Sequence, residues 1–79
     1  MINTALDDQR LVTEKLDALA ARYADGHVYR MDGVSVEYPT WHFNVRPSNT
    51  EPLLRLNLEG GTPEEMEARR DEVLALIRS

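Results

Sequence analysis

The stretch Trp41-His42-Phe43-Asn44-Val45-Arg46-Pro47-Ser48-Asn49-Thr50-Glu51-Pro52-Leu53-Leu54-Arg55-Leu56-Asn57-Leu58 decides how this chain folds. Trp41, Phe43 and Val45 alternate with His42, Asn44 and Arg46. Beyond a polar, proline-bounded segment, Leu54, Leu56 and Leu58 alternate with Arg55 and Asn57. A period of two sends successive side chains to opposite faces, so both runs read as half-buried β-strands. With Pro47 to Pro52 as the loop, antiparallel pairing sets Val45 opposite Leu54, Phe43 opposite Leu56 and Trp41 opposite Leu58. The apolar faces then coincide, and the polar face carries Asn44 opposite Arg55, beside Arg46.

On the N-terminal side, His27 to Met31 and Val34 to Tyr38 are β-favouring runs flanking Asp32-Gly33, the pair a two-residue type I′ hairpin turn requires. Val34, Val36 and Tyr38 alternate with Ser35 and Glu37, and Pro39 ends the run. Further upstream, Val12, Leu16, Leu19 and Tyr23 share one face of a helix from about Asp7 to Ala24. Asp7 and Asp8 suit its start, Arg22 its last turn, and Gly26 a left-handed stop. Arg10, Glu14, Lys15 and Asp17 read as its solvated side. On the C-terminal side Glu59-Gly60-Gly61 breaks the last strand. Thr62-Pro63-Glu64-Glu65 is a capping box opening a second helix to about Arg78. Its apolar stripe is Met66, Arg70, Val73 and Ile77, with Leu74 beside it. The expected architecture is α+β, a four-stranded antiparallel sheet with two helices packed on one face and the other face polar.

The chain has 79 residues, nine Lys and Arg against fourteen Asp and Glu, and a net charge of −5. This length makes one small domain spanning 1-79, with a thin core and no room for a deep multi-domain cleft. No cysteine is present and only two histidines, which excludes disulfides, thiolate metal sites and His-rich metal centres. No apolar run approaches a membrane span. Met1-Ile2-Asn3-Thr4 lacks the basic-then-apolar pattern of a secretory signal, and a cytoplasmic setting is expected. An isoelectric point near 4.9 argues against nucleic acid as a partner, although a local anion site remains compatible with it.

Arg46 to Pro52 is the segment that carries chemistry. Arg46 brings a permanent charge and a donor fork matched to phosphate oxygens. Ser48, Asn49 and Thr50 add side-chain donors, and their backbone N–H groups can form an anion-binding nest where the loop visits left-handed dihedrals. The flanking prolines limit the ordering entropy. The same composition also suits an ordinary hairpin loop. Ser48 has no local His or Asp to activate it as a nucleophile. His42 projects from the polar face with solvated and ligand-adjacent roles both open, His27 begins a strand, and Trp41 belongs to the core.

Arg46-Pro47-Ser48-Asn49-Thr50-Glu51-Pro52, followed by Leu53-Leu54-Arg55, closely resembles the phosphate-binding loop in the last domain of the α-D-phosphohexomutases, the phosphomannomutase and phosphoglucomutase family. Asp32-Gly33-Val34 ahead of a Trp-containing strand, the helix before it and the Glu59 to Ser79 tail extend the resemblance over nearly the whole chain. It implies a TBP-like fold and a four-domain parent isomerase that moves a phosphoryl group between the 1- and 6-hydroxyls of a hexose through a hexose 1,6-bisphosphate. A phosphoserine and Mg2+ held in other domains would do the chemistry, and this domain would clamp the phosphate that is not reacting.

Carried over by the same resemblance, Arg46, Ser48, Asn49 and Thr50 match the phosphate-contacting positions. Arg55 matches less directly, because some relatives place their second arginine where this chain has Asn57. Ser48-Asn49-Thr50 resembles the glucose and mannose mutases rather than the phosphoglucosamine mutases. Nothing here resembles the phosphoserine, magnesium or sugar-specificity loops. The chain is therefore expected to be an excised or truncated C-terminal domain with no catalytic residue, no bound metal and no mutase activity of its own. Its expected partners are a glucose or mannose phosphate and the other domains of the parent enzyme. The competing reading is a free-standing interaction module that docks a protein through the polar sheet face.

Overall fold

The computed structural model describes residues 2–30, 32–48 and 51–79. Its elements run β1 (Ile2–Ala5), α1 (Gln9–Arg22), β2 (His27–Tyr29), β3 (Val34–Glu37), β4 (Trp41–Pro47), β5 (Leu53–Gly60) and α2 (Pro63–Ile77). The strands form one sheet in the order β1-β5-β4-β3-β2, with every neighbouring pair antiparallel. The α+β architecture is as expected, but the sheet has five strands rather than four. The additional one is β1, which pairs with β5 through Ile2↔Leu56 and Thr4↔Leu54. Only Ile2 and Thr4 turn toward the core, which is too short an alternation to stand out, and such brevity is common in edge strands.

The period-two faces are as anticipated. Val34, Val36, Trp41, Phe43, Val45, Leu54 and Leu56 are buried against Val12, Leu16, Leu19 and Tyr23 of α1 and Val73, Leu74 and Ile77 of α2. Each such aliphatic or Phe side chain contributes roughly 1.5–3 kcal/mol by leaving water. The pairing register differs from expectation: Val45 faces Leu56, Phe43 faces Leu58, Trp41 faces Gly60, and Arg46 faces Arg55. A two-residue slip leaves each side chain on its own face, so apolar patterning cannot distinguish the two registers. The loop decides between them. Ser48 N–H donates to the Leu53 carbonyl at 3.2 Å, which leaves only residues 49–52 between the partners. The same shift keeps β5 extended through Gly60, past the expected break at Glu59.

Cap chemistry sets both helices. The Asp8 carboxylate accepts from Arg10 N–H at 2.8 Å, and Thr62 Oγ1 accepts from Glu65 N–H at 3.1 Å with Pro63 beginning α2. Glu65 departs from the reciprocal box: its carboxylate accepts from the Thr40 hydroxyl at 2.9 Å, tying α2 to the β3–β4 turn. Gly26 is not left-handed. It is required because a Cβ there would lie 2.8 Å from the Tyr38 ring and from Val36 Cγ1. Gly33, at φ +130°, alone has a positive φ among the described residues, and a side chain on it would collide with the Val45 carbonyl oxygen. The register His27↔Glu37 to Tyr29↔Ser35 puts residues 31–33, one more than the expected two-residue turn, between Arg30 and Val34. Met31, the expected end of that strand, lies outside the described residues. No helix among the described residues is long and apolar enough to cross a membrane.

Candidate anion site at the β4–β5 loop

The observed register makes Arg46 and Arg55 direct cross-strand neighbours on the polar face. Both are exposed, and among the described residues neither enters an ion pair. Like charges directly opposite each other destabilise a sheet, so this pair carries an electrostatic cost that a bound anion would remove. Ser48 follows β4 directly and is half-buried, with its backbone N–H engaged by Leu53. The loop exit is anchored where Leu6 N–H donates to the Pro52 carbonyl at 2.6 Å, so the residue following β1 braces the far side of the loop. Asn49 and Thr50 lie outside the described residues.

Arg46, Pro47 and Arg55 line an open cavity of about 640 Å³ together with Thr13 and Leu16 of α1 and Arg30, Asp32 and Gly33 of the β2–β3 connection. Gly33 shapes it, since its lack of a side chain lets that connection lie against β4 at Val45 and Arg46. The lining includes three arginines and one acidic residue, Asp32, in a chain whose overall charge is −5. Such a local cationic concavity concentrates anions even on an acidic protein. Sequence reasoning placed Arg46 and Arg55 on one surface but missed Arg30, which carried no motif and sat beside an apparent turn.

The other sequence candidates lie elsewhere or are structural. His42 is at the opposite end of β4 from Arg46, with Nε2 3.7 Å from Glu59 Oε2 on the neighbouring strand. His27 starts β2 and stacks on Tyr29 at 4.4 Å. Trp41 is buried. Among the described residues no group of three or more His, Asp or Glu side chains is placed to hold a metal ion. The groups with marked pKa shifts also lie away from the cavity. Burial and then a hydrogen bond to Asp25 push Tyr38 up to about 12, and burial with a hydrogen bond to Glu72 pushes Tyr23 higher still.

The class the structure defines is an α+β domain, an antiparallel sheet carrying two helices, with three arginines lining one open cavity. Comparison with known proteins gives its family. A family model described as phosphoglucomutase/phosphomannomutase, C-terminal domain, matches residues 1–76. A phosphomannomutase of Salmonella montevideo is 42% identical over 79 residues, covering 99% of this chain and 17% of that protein. A phosphomannomutase of Methanocaldococcus jannaschii is 40% identical over 76 residues, covering 96% and 16%. A Xanthomonas campestris pv. campestris protein named phosphohexose mutases is 39% identical over 80 residues, covering 98% and 17%. The chain belongs to the phosphoglucomutase/phosphomannomutase C-terminal domain family. It spans about a sixth of the length of the curated relatives it matches.

Proposed function

We propose that this chain is the substrate-phosphate-binding domain of a cytoplasmic phosphomannomutase or phosphoglucomutase, built on a TBP-like fold. The observation that carries the reading is the Arg46–Arg55 cross-strand pair, two uncompensated guanidinium groups at the mouth of one cavity. In this role Arg46, Ser48, Asn49, Thr50 and Arg55 grip the phosphate that is not reacting. A hexose phosphate isomerised through a 1,6-bisphosphate must present each end in turn to one phosphoryl donor. A grip that reads only phosphate serves both orientations, and binding energy at the remote end orients the reacting end. The donor and Mg2+ belong to other domains of the parent enzyme, and this chain by itself converts no substrate.

An amide chemical-shift titration of this chain with glucose 6-phosphate, inorganic phosphate and glucose tests the reading. Saturable shifts at Arg46 to Thr50 and at Arg55 are expected with both phosphates and none with glucose. A dissociation constant on the order of 1 mM corresponds to about −4 kcal/mol. Absence of shifts with either phosphate would overturn the proposal. It would favour the interaction-module reading, for which the uncovered sheet face bearing His42, Arg55 and Glu59 is the available surface.

A further inference from the structure

We infer that Arg30 is a third ligand-binding arginine of this cavity, donating to a bound phosphate ester from the β2–β3 connection. The inference rests on the phosphate-binding reading above and extends it to a residue outside the Arg46 to Thr50 segment. Arg30 lines the same cavity as Arg46 and Arg55. Its Nη2 donates to Asp17 Oδ1 at 2.7 Å, while its side chain remains 48% exposed. Asp17 is not among the cavity-lining residues. The ion pair therefore holds the guanidinium from α1 without placing the Asp17 carboxylate in the cavity. A guanidinium carries five N–H donors in a fixed fork, so one carboxylate contact leaves donors for a second acceptor.

Placement and size point the same way. Gly33 brings the β2–β3 connection against Val45 and Arg46 Cα, so Arg30 and Arg46 are positioned by one locally interlocked arrangement. A volume of about 640 Å³ falls in the range of small-molecule pockets rather than of a single-ion cradle. A phosphate ester with its attached polyol fits that space, with Arg30 as a further donor to its oxygens. Thr13 and Leu16 supply the α1 wall.

The competing role for Arg30 is a staple that fastens the connection to α1, and four variants separate the two. Glucose 6-phosphate is titrated into wild type, Arg30→Ala, Arg30→Lys, Asp17→Asn and Arg46→Ala, with each fold checked by its amide spectrum and thermal midpoint. Loss of one charge-assisted contact should weaken binding roughly tenfold in Arg30→Ala. Arg30→Lys should recover only part of it, because an ammonium lacks the planar fork. Asp17→Asn, which breaks the same ion pair, should cost much less affinity than Arg30→Ala. Equal affinity losses in Arg30→Ala and Asp17→Asn, or wild-type affinity in Arg30→Ala while Arg46→Ala fails to bind, would overturn this inference alone. A wild-type chain that binds no phosphate would overturn the functional reading and this inference together.

Discussion

The two ends of the β4–β5 hairpin treat charge in opposite ways. At the Trp41 end, the indole stacks on Tyr38 at 4.8 Å and on Phe43 at 5.5 Å, and Tyr23 meets all three rings edge-on. Arg69 lies 4.8 Å over Trp41, and Arg22 lies 5.0 Å over Tyr23. Both guanidinium groups approach Glu72, at 3.4 and 3.6 Å, and Glu72 also accepts from the Tyr23 hydroxyl at 2.7 Å. Each arginine there has an internal counter-charge and an aromatic face. At the Arg46 end, two arginines face one another with no described carboxylate in ion-pair range. Charge at the Trp41 end is satisfied within the fold, whereas the Arg46–Arg55 pair has counter-charge to gain from an anion, as the proposed function requires.

The strongest way to break this contrast is to damage the compensated end. Phe43 is 1% exposed at the centre of the aromatic cluster. Phe43→Ala should cost about 3–5 kcal/mol through lost transfer energy and the cavity it leaves. That is a large share of what so small a domain possesses, and urea denaturation should show the midpoint collapse. Arg46→Ala should do the reverse. Phosphate binding should fall by about 1.5–3 kcal/mol, the worth of a hydrogen bond to a charged group, and folding stability should stay level or rise slightly as like-charge repulsion is relieved. A shift titration paired with a melt checks both arms, and a destabilised Arg46→Ala would contradict the division of labour.

Tyr23→Phe sharpens the comparison from the pH side. Burial first, then the Glu72 hydrogen bond, holds the Tyr23 hydroxyl far above its ordinary value of 10, and Tyr38 is raised to about 12. A group whose folded pKa is raised contributes stability that is complete below the unfolded value. That contribution fades as pH climbs past 10 toward the folded value. Wild type should therefore lose stability between pH 9 and 12, as marked roughly by the reference tyrosine pKa. Tyr23→Phe should lose less over the same interval while starting about 0.5–1.5 kcal/mol lower at neutral pH. Denaturant melts across that interval test it, and ionisation read by ultraviolet absorbance should show Tyr23 and Tyr38 titrating late.

What was legible in the chain follows the same physical division. Face and element type come from periodicity, so α1, the alternation of β3 to β5 and the Thr62-Pro63 start of α2 could be read directly. Register could not, because a two-residue slip preserves every face and only the Ser48–Leu53 contact selects one pairing. The opposition of Arg46 and Arg55 depends on register and was hidden with it. β1 was missed because Thr4, half of its inward face, is not apolar. Arg30 reaches the cavity through a tertiary contact to Asp17 and the close approach at Gly33, neither of which leaves a local pattern.

The smallest expected effect belongs to a charge compensated only locally. The Arg10 guanidinium and then the Arg10 backbone N–H hold the Asp8 carboxyl below its ordinary value. A depressed folded pKa contributes stability that is present above the unfolded value and disappears as pH falls through the folded one. Asp8 caps α1, and α1 has no acidic residue in its first turn, so this carboxylate is the cap's own contribution to the helix dipole. Asp8→Asn keeps an acceptor for the Arg10 N–H and removes only the charge. Arg10→Ala keeps the cap and removes the larger cause of the shift. Both variants should flatten the acid limb of stability against pH by slightly lowering the neutral plateau while leaving the stability in acid unchanged, a small difference that paired thermal melts at neutral and acid pH check. Amide exchange at residues 9–11 should accelerate at neutral pH in Asp8→Asn. If Arg10→Ala left the acid limb unchanged, the backbone N–H rather than the guanidinium would be the dominant partner of Asp8.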